Sequence, residues 1–269
     1  MTLARFFWHW APAALLVLVV GCAAPPQGAY TAGSGQDLTT DSDESEARKR
    51  ARLRVELASG YFEQGQTTVA LDEIKQALNA DPAYAPAFNL RGLAYLRLSE
   101  FRLAEDSFRT ALRINPRDAG VAHNLGWMLC QQSKFAEAMG LFGQALANPI
   151  YPGQAKTLMA QGICQARAGQ VLEAESSLSR SFELDAANPV TAFNLAKLLA
   201  QRGDLPKAQF HLRRLNNSDL ANAETLWQGI KVERRLGNAV AERQLGDQLK
   251  RRYPQSKELG WYERGAFDE

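Results

Sequence analysis

The sequence predicts an all-α protein, a solenoid of about six stacked helix hairpins closed by a C-terminal capping helix. Three interlocked series of residues carry this reading. Small residues recur at Ala58, Gly92, Gly126, Gly162, Ala196 and, less well, Ile230, at spacings of 34, 34, 36, 34 and 34. Gly65, Ser99, Ser133, Gly169, Gly203 and Gly237 repeat those spacings. Ala70, Ala104, Ala138, Ala174 and Ala208 lie five residues beyond the second series each time, until Glu242 breaks the pattern. A period of this length means one supersecondary unit per repeat, and one unit cannot bury its apolar face without neighbours. Small side chains are needed where two helices cross closely. Gly or Ser suits the turn between them. Pro82, Pro116 and Pro254 stand at the close of repeats, where one helix stops and the next begins.

Taken in chain order, residues 1–21 read as a signal peptide. Arg5 supplies a weak basic start, and an apolar run ends in Ala13–Val20, short of the roughly 20 residues a spanning helix needs. Val19-Val20-Gly21-Cys22 resembles a bacterial lipobox. That resemblance implies diacylation of the Cys22 thiol, which becomes the new amino terminus; the plainer alternative is a buried Cys ending an apolar helix. Ala23 rather than Asp follows, which by resemblance to lipoprotein sorting rules directs the anchor to the outer membrane. Residues 22–46 are rich in Ala, Pro, Gly, Ser, Thr and Asp without apolar period, as expected of a lipidated flexible tether. The repeat body is expected over 47–269, with units at about 51–84, 85–118, 119–152, 155–188, 189–222 and 223–254.

These units resemble tetratricopeptide repeats. The clearest is 85–118, with Phe88, Gly92, Tyr95, Ala104, Phe108, Ala111 and Pro116 at the diagnostic places. The resemblance implies a right-handed solenoid. The two extra residues between units three and four fall in Pro149–Gly153, so a longer loop is expected there. The last unit departs most, with Glu233 where Tyr or Leu is usual, and residues 256–266 are expected to form the cap carrying Trp261 and Tyr262.

Such repeats bind on the face lined by the first helix of each unit. In the register above, the candidate partner groove comprises Phe62, Asn89, Leu93, Leu96, His123, Trp127, Met159, Ile163, Phe193 and Lys197. Val55, Ser59, Cys130, Ala166, Ala200, Trp227, Lys231 and Arg234 stand at the remaining positions, so the first four repeats are mainly apolar and the last two add cations. An apolar lining suits an extended or helical apolar partner segment. The alternative is that Trp127, Met159 and Phe193 are core residues in a slightly different register.

Composition narrows the rest. A formal net charge of +2 over 269 residues leaves no chain-wide footprint for nucleic acid. Three Cys without a CxxC pair and three scattered His argue against a metal site. No nucleophile–base set, phosphate loop or paired-carboxylate cleft is visible, so a non-enzyme is expected, with no metal and no cofactor beyond a covalent lipid on Cys22. A helical lytic transglycosylase would need a placed catalytic Glu, and none stands out. Cys130 and Cys164 lie on neighbouring first helices. Packed helix axes stand about 8–10 Å apart and bridged Cα atoms about 7 Å or less. Two buried free thiols are therefore expected, with a disulfide the alternative.

The lipobox, the short tether and about six repeats together resemble the type IV pilus biogenesis and stability lipoproteins of the PilF and PilW family. Ala122-His123-Asn124-Leu125-Gly126-Trp127 followed by Cys130 resembles that family's third repeat, and Asn148-Pro149-Ile150-Tyr151-Pro152 its loop. The resemblance implies a pilotin on the periplasmic face of the outer membrane. It would bind pilus secretin subunits and promote their localisation and multimerisation, with no nucleic acid or small-molecule substrate. A periplasmic scaffold for outer-membrane barrel assembly or cell-wall enzymes would share anchor, fold and groove, and remains the alternative.

Overall fold

The computed structural model describes residues 44–268, which form thirteen α-helices and no strand. The expected signal peptide, Cys22 and most of the expected tether lie outside the described residues. Helices pair as antiparallel hairpins: α1 (Glu46–Glu63) with α2 (Thr67–Ala80), α3 (Ala85–Arg97) with α4 (Phe101–Ile114), α5 (Ala119–Gln131) with α6 (Phe135–Leu146). The series continues with α7 (Gln154–Arg167) and α8 (Val171–Leu184), α9 (Pro189–Arg202) and α10 (Leu205–Asn216), α11 (Ala223–Arg235) and α12 (Ala239–Arg252). The short α13 (Lys257–Glu263) packs on α11 and α12. α1 begins at Glu46 behind an N-cap at Ser45, a residue before the expected body.

The turn inside every hairpin contains one residue in the left-handed region, and these are the second residue series: Gly65, Gly169, Gly203 and Gly237 at φ between 73° and 89°, Ser99 and Ser133 near 60°. Only Gly adopts this conformation without steric cost. Between repeats, the side chains of Asp81, Asn115, Asn148 and Asp185 accept a hydrogen bond from the backbone N–H two residues on. These Asx turns break one helix and aim the next. The link from Ala147 to Gly153 is the longest between helices, as the extra residues require.

Size explains the first series. A Cβ on Gly92 would stand 2.5 Å from the Phe108 ring, one on Gly126 3.0 Å from Phe142, and one on Gly162 2.7 Å from Leu178. In each case the second helix drives a large side chain into the gap the first helix leaves. Ala70, Ala104, Ala138, Ala174 and Ala208 are buried at the same crossings. Phe108, Leu125, Met128, Leu129 and Phe142 form the centre of the largest core cluster, across repeats two to four. Among the described residues, successive first helices touch one another while successive second helices do not. The first helices therefore line the inner, concave side.

Candidate functional site

The inner face runs along α1, α3, α5, α7, α9 and α11. Of the residues expected there, Phe62, Asn89, Leu93, Leu96, Trp127, Met159, Ile163 and Phe193 are half-buried and Lys197 is exposed. Leu93, Leu96 and Trp127 lean on the core of repeats two to four, and Met159, Ile163 and Phe193 on that of repeats four to six. These side chains are thus the shoulders of the core, one flank packed and the other toward solvent. Two are already engaged. The Arg97 guanidinium covers the Phe62 ring at 3.4 Å and donates to the Phe62 carbonyl. Asn124 donates to the Asn89 side chain at 3.0 Å, joining repeats two and three.

His123 departs from the expectation. It is only 5% exposed and cannot reach a partner. Its Nδ1 lies 2.9 Å from the Thr157 hydroxyl of the next repeat. Burial, with a smaller push from Lys156, lowers its pKa to about 4, so the ring is neutral at ordinary pH. Cys130 and Ala200 are buried as well. Trp227 is 3% exposed because Trp261 and Phe267 cover it, so the inner face of the last repeat is roofed by the cap.

The expected pair of free thiols is also overturned, since Cys130 and Cys164 form a disulfide with Cα atoms 5.8 Å apart. The distance argument failed because it compared axes with Cα atoms. Cα atoms lie on a cylinder of about 2.3 Å radius, so a facing pair sits roughly 4–5 Å nearer than the axes do. The bond clips α5 to α7 on either side of the long Ala147–Gly153 link.

Toward the C-terminal end the inner face turns polar. A recess of about 210 Å³ opens between α7 and α9 beside Ile163, Asn194 and Lys197. A second, of about 360 Å³, lies between α9 and α11. On the other side of α11, Glu233 is 2% exposed and fully engaged. Its carboxylate accepts from Arg213 Nε at 2.7 Å, Gln209 Nε2 at 2.8 Å and Asn238 Nδ2 at 2.9 Å. The departure from the repeat pattern at this position is a buried polar tie between repeats five and six. The sequence marked it only as an oddity, because two of its three partners, Arg213 and Gln209, sit 20 and 24 residues upstream on α10 and their approach depends on packing. Among the described residues no group of His, Cys, Asp and Glu could hold a metal ion. No described helix is long and apolar enough to cross a membrane.

Comparison with known proteins agrees with this architecture. A tetratricopeptide-repeat family model matches residues 55–119. The chain is 27% identical over 246 residues to the type IV pilus assembly protein PilF of Pseudomonas aeruginosa, covering 91% of this chain and 95% of that one. It is similar to the crystal structure of PilW, a widely conserved type IV pilus biogenesis factor, at 32% identity and a TM-score of 0.73, covering 78% of this chain and 96% of PilW. The structure of Pseudomonas aeruginosa PilF superposes with a TM-score of 0.76 at 24% identity, over 82% of this chain and 100% of that one, which speaks to the fold.

Proposed function

Because the chain belongs to the type IV pilus biogenesis family of tetratricopeptide-repeat proteins that includes PilW and PilF, we propose that it is a non-enzymatic pilotin. In this reading Cys22 carries the lipid that holds it on the periplasmic face of the outer membrane, and the inner face binds pilus secretin subunits. The observation that carries the groove is the row of half-buried apolar side chains, Leu93, Leu96, Trp127, Met159, Ile163 and Phe193, on successive first helices. Each has apolar surface left over after packing, and a partner segment laid along the row would bury all of it together. The Cys130–Cys164 disulfide supports export, since such bonds persist in oxidising compartments. Holding several secretin subunits at one membrane raises their effective concentration, which favours ring assembly without bond chemistry.

Trp127→Ala tests this reading. A central aromatic tends to dominate binding energy, so the variant should lose about 2 kcal/mol of secretin affinity, roughly thirtyfold. Secretin multimers and twitching motility should fall while lipidation through Cys22 persists. Since Trp127 leans on the core, a thermal melt must accompany the measurement, and Ile163→Lys on the next repeat serves as an independent groove variant. Folded variants of both kinds with normal secretin multimers would reject the groove or the secretin.

A further inference from the structure

The inner face of the sixth repeat is covered by residues 265–268, the tail that follows α13. α13 stops at a left-handed glycine, Gly265, with φ 67°. The Gly265 N–H donates to the Tyr262 carbonyl at 3.1 Å and the Ala266 N–H to the Trp261 carbonyl at 2.9 Å. This double closure reverses the chain direction and returns Phe267 onto α11. There its ring stacks on Trp227, with centroids 5.5 Å and planes 19° apart. The Arg234 guanidinium stands 3.9 Å from the centre of the same ring. Phe267 and Asp268 together form one wall of the 360 Å³ recess, and Lys197, Lys231, Arg234 and Arg235 bring four cations to the others.

The contacts of this wall describe what the surface beneath it recognises. An aromatic ring is held between an indole and a guanidinium, and the exposed Asp268 follows it at the rim of a recess whose other walls carry lysines and arginines. The attachment is modest, because a single stacked ring and one cation–π contact are small contributions and the segment lies at the end of a seven-residue helix. A segment bound in this way can be displaced by another of the same chemistry. The same cations are continuous with Lys197 of the open groove, so a partner lying along the first helices meets this recess at its end.

We propose that the slot between the fifth and sixth repeats is a docking site for a partner segment carrying an aromatic side chain followed by carboxylates, and that residues 265–268 occupy it in cis as a displaceable stand-in. The proposal rests on the inner face being the partner surface. Its test needs no pilus protein, so it and the secretin assignment fail separately. A tethered tail competes at an effective concentration that reaches the millimolar range, and the apparent affinity for an outside segment falls by the fraction of molecules with the slot open. The tail therefore sets a threshold that a partner presented in several copies crosses more readily than a single one.

The probe is a labelled synthetic peptide with the sequence of residues 263–269, titrated into the full chain and read by fluorescence anisotropy. Phe267→Ala, which frees the slot, should bind the peptide at least tenfold more tightly than the unmodified protein. Lys197→Glu added to Phe267→Ala should lose at least tenfold, and a peptide with Ala in place of its Phe should not bind. Asp268→Lys, which keeps the ring and repels the cations, should give an intermediate gain and covers the case that Phe267→Ala misfolds. Equal affinity in the unmodified and tail variants, or indifference to Lys197→Glu, would overturn the proposal. A dimer of the unmodified protein that dissociates on Phe267→Ala would also overturn it, by assigning the slot to the tail of a second copy.

Discussion

Between the third and fourth repeats the chain buries Leu129, Cys130, Ala160, Cys164 and a neutral His123. Between the fifth and sixth it buries Glu233 under Arg213, Gln209 and Asn238. The backbone hairpins are alike, and the small residues at their crossings keep one period. The chemistry of the two junctions is opposite. The first is dry and covalently clipped; the second is polar, with the Arg213 side chain half exposed to water. A repeat fold thus specifies where neighbouring units touch and leaves open how they are held. The dry junction lies beneath the apolar part of the inner face, and the polar one beside the cationic part that the tail covers.

The largest expected effect breaks the covalent side of this contrast. The disulfide spans a sequence separation of 34 residues, for which the loop-closure relation gives a stabilisation of about 4 kcal/mol. Cys130→Ala, or reduction with dithiothreitol, should lower the stability measured by urea unfolding by about that amount. A loss well under 1 kcal/mol would mean that apolar burial alone holds the dry junction.

The next effect depends on pH and belongs to the same junction. His123 titrates near 4 in the folded protein against 6.5 when exposed. Between those values the unfolded chain binds more protons than the folded one, so stability rises with pH across the interval. It should be complete above about pH 6.5 and should fall on acidification toward pH 4 by an amount on the order of 3 kcal/mol. His211, lowered mainly by burial and further by Arg214, acts in the same direction. His123→Gln should remove most of the slope, since the amide does not titrate; an unchanged slope would assign it elsewhere.

The smallest effect sharpens the polar side. Glu233→Ala removes the acceptor shared by Arg213, Gln209 and Asn238. Because Arg213 is half exposed and can turn to water, the expected loss is about 2 kcal/mol, below that for a fully buried pair. Glu233→Leu, which restores the residue type usual at this place in the repeat, should recover much of it. If Leu is worse than Ala, the polar junction is too narrow for the side chain it replaced.

The fold was legible in the sequence because its determinants are local and periodic. Gly65, Gly169, Gly203 and Gly237 announce turns through the φ they alone adopt freely, and Gly92, Gly126 and Gly162 announce crossings through the Cβ they lack. Leu93, Trp127 and Ile163, expected on the inner face from the same period, are half-buried on successive first helices. His123 did not follow: a residue's place in the repeat says which way it leaves the helix, but the next repeat decides whether anything covers it, and here Thr157 does.

By itself, then, the sequence determined the all-α class, the hairpin units, the long link before α7 and the capping helix, since each depends on residue size or backbone freedom within a few neighbours. Tertiary structure alone decided the Cys130–Cys164 bond, the closure of Glu233 by donors from α10, and the return of Phe267 onto Trp227. Those depend on the approach and rotation of one helix against another, quantities that set distances to within an ångström and leave no mark on the spacing of residues along the chain.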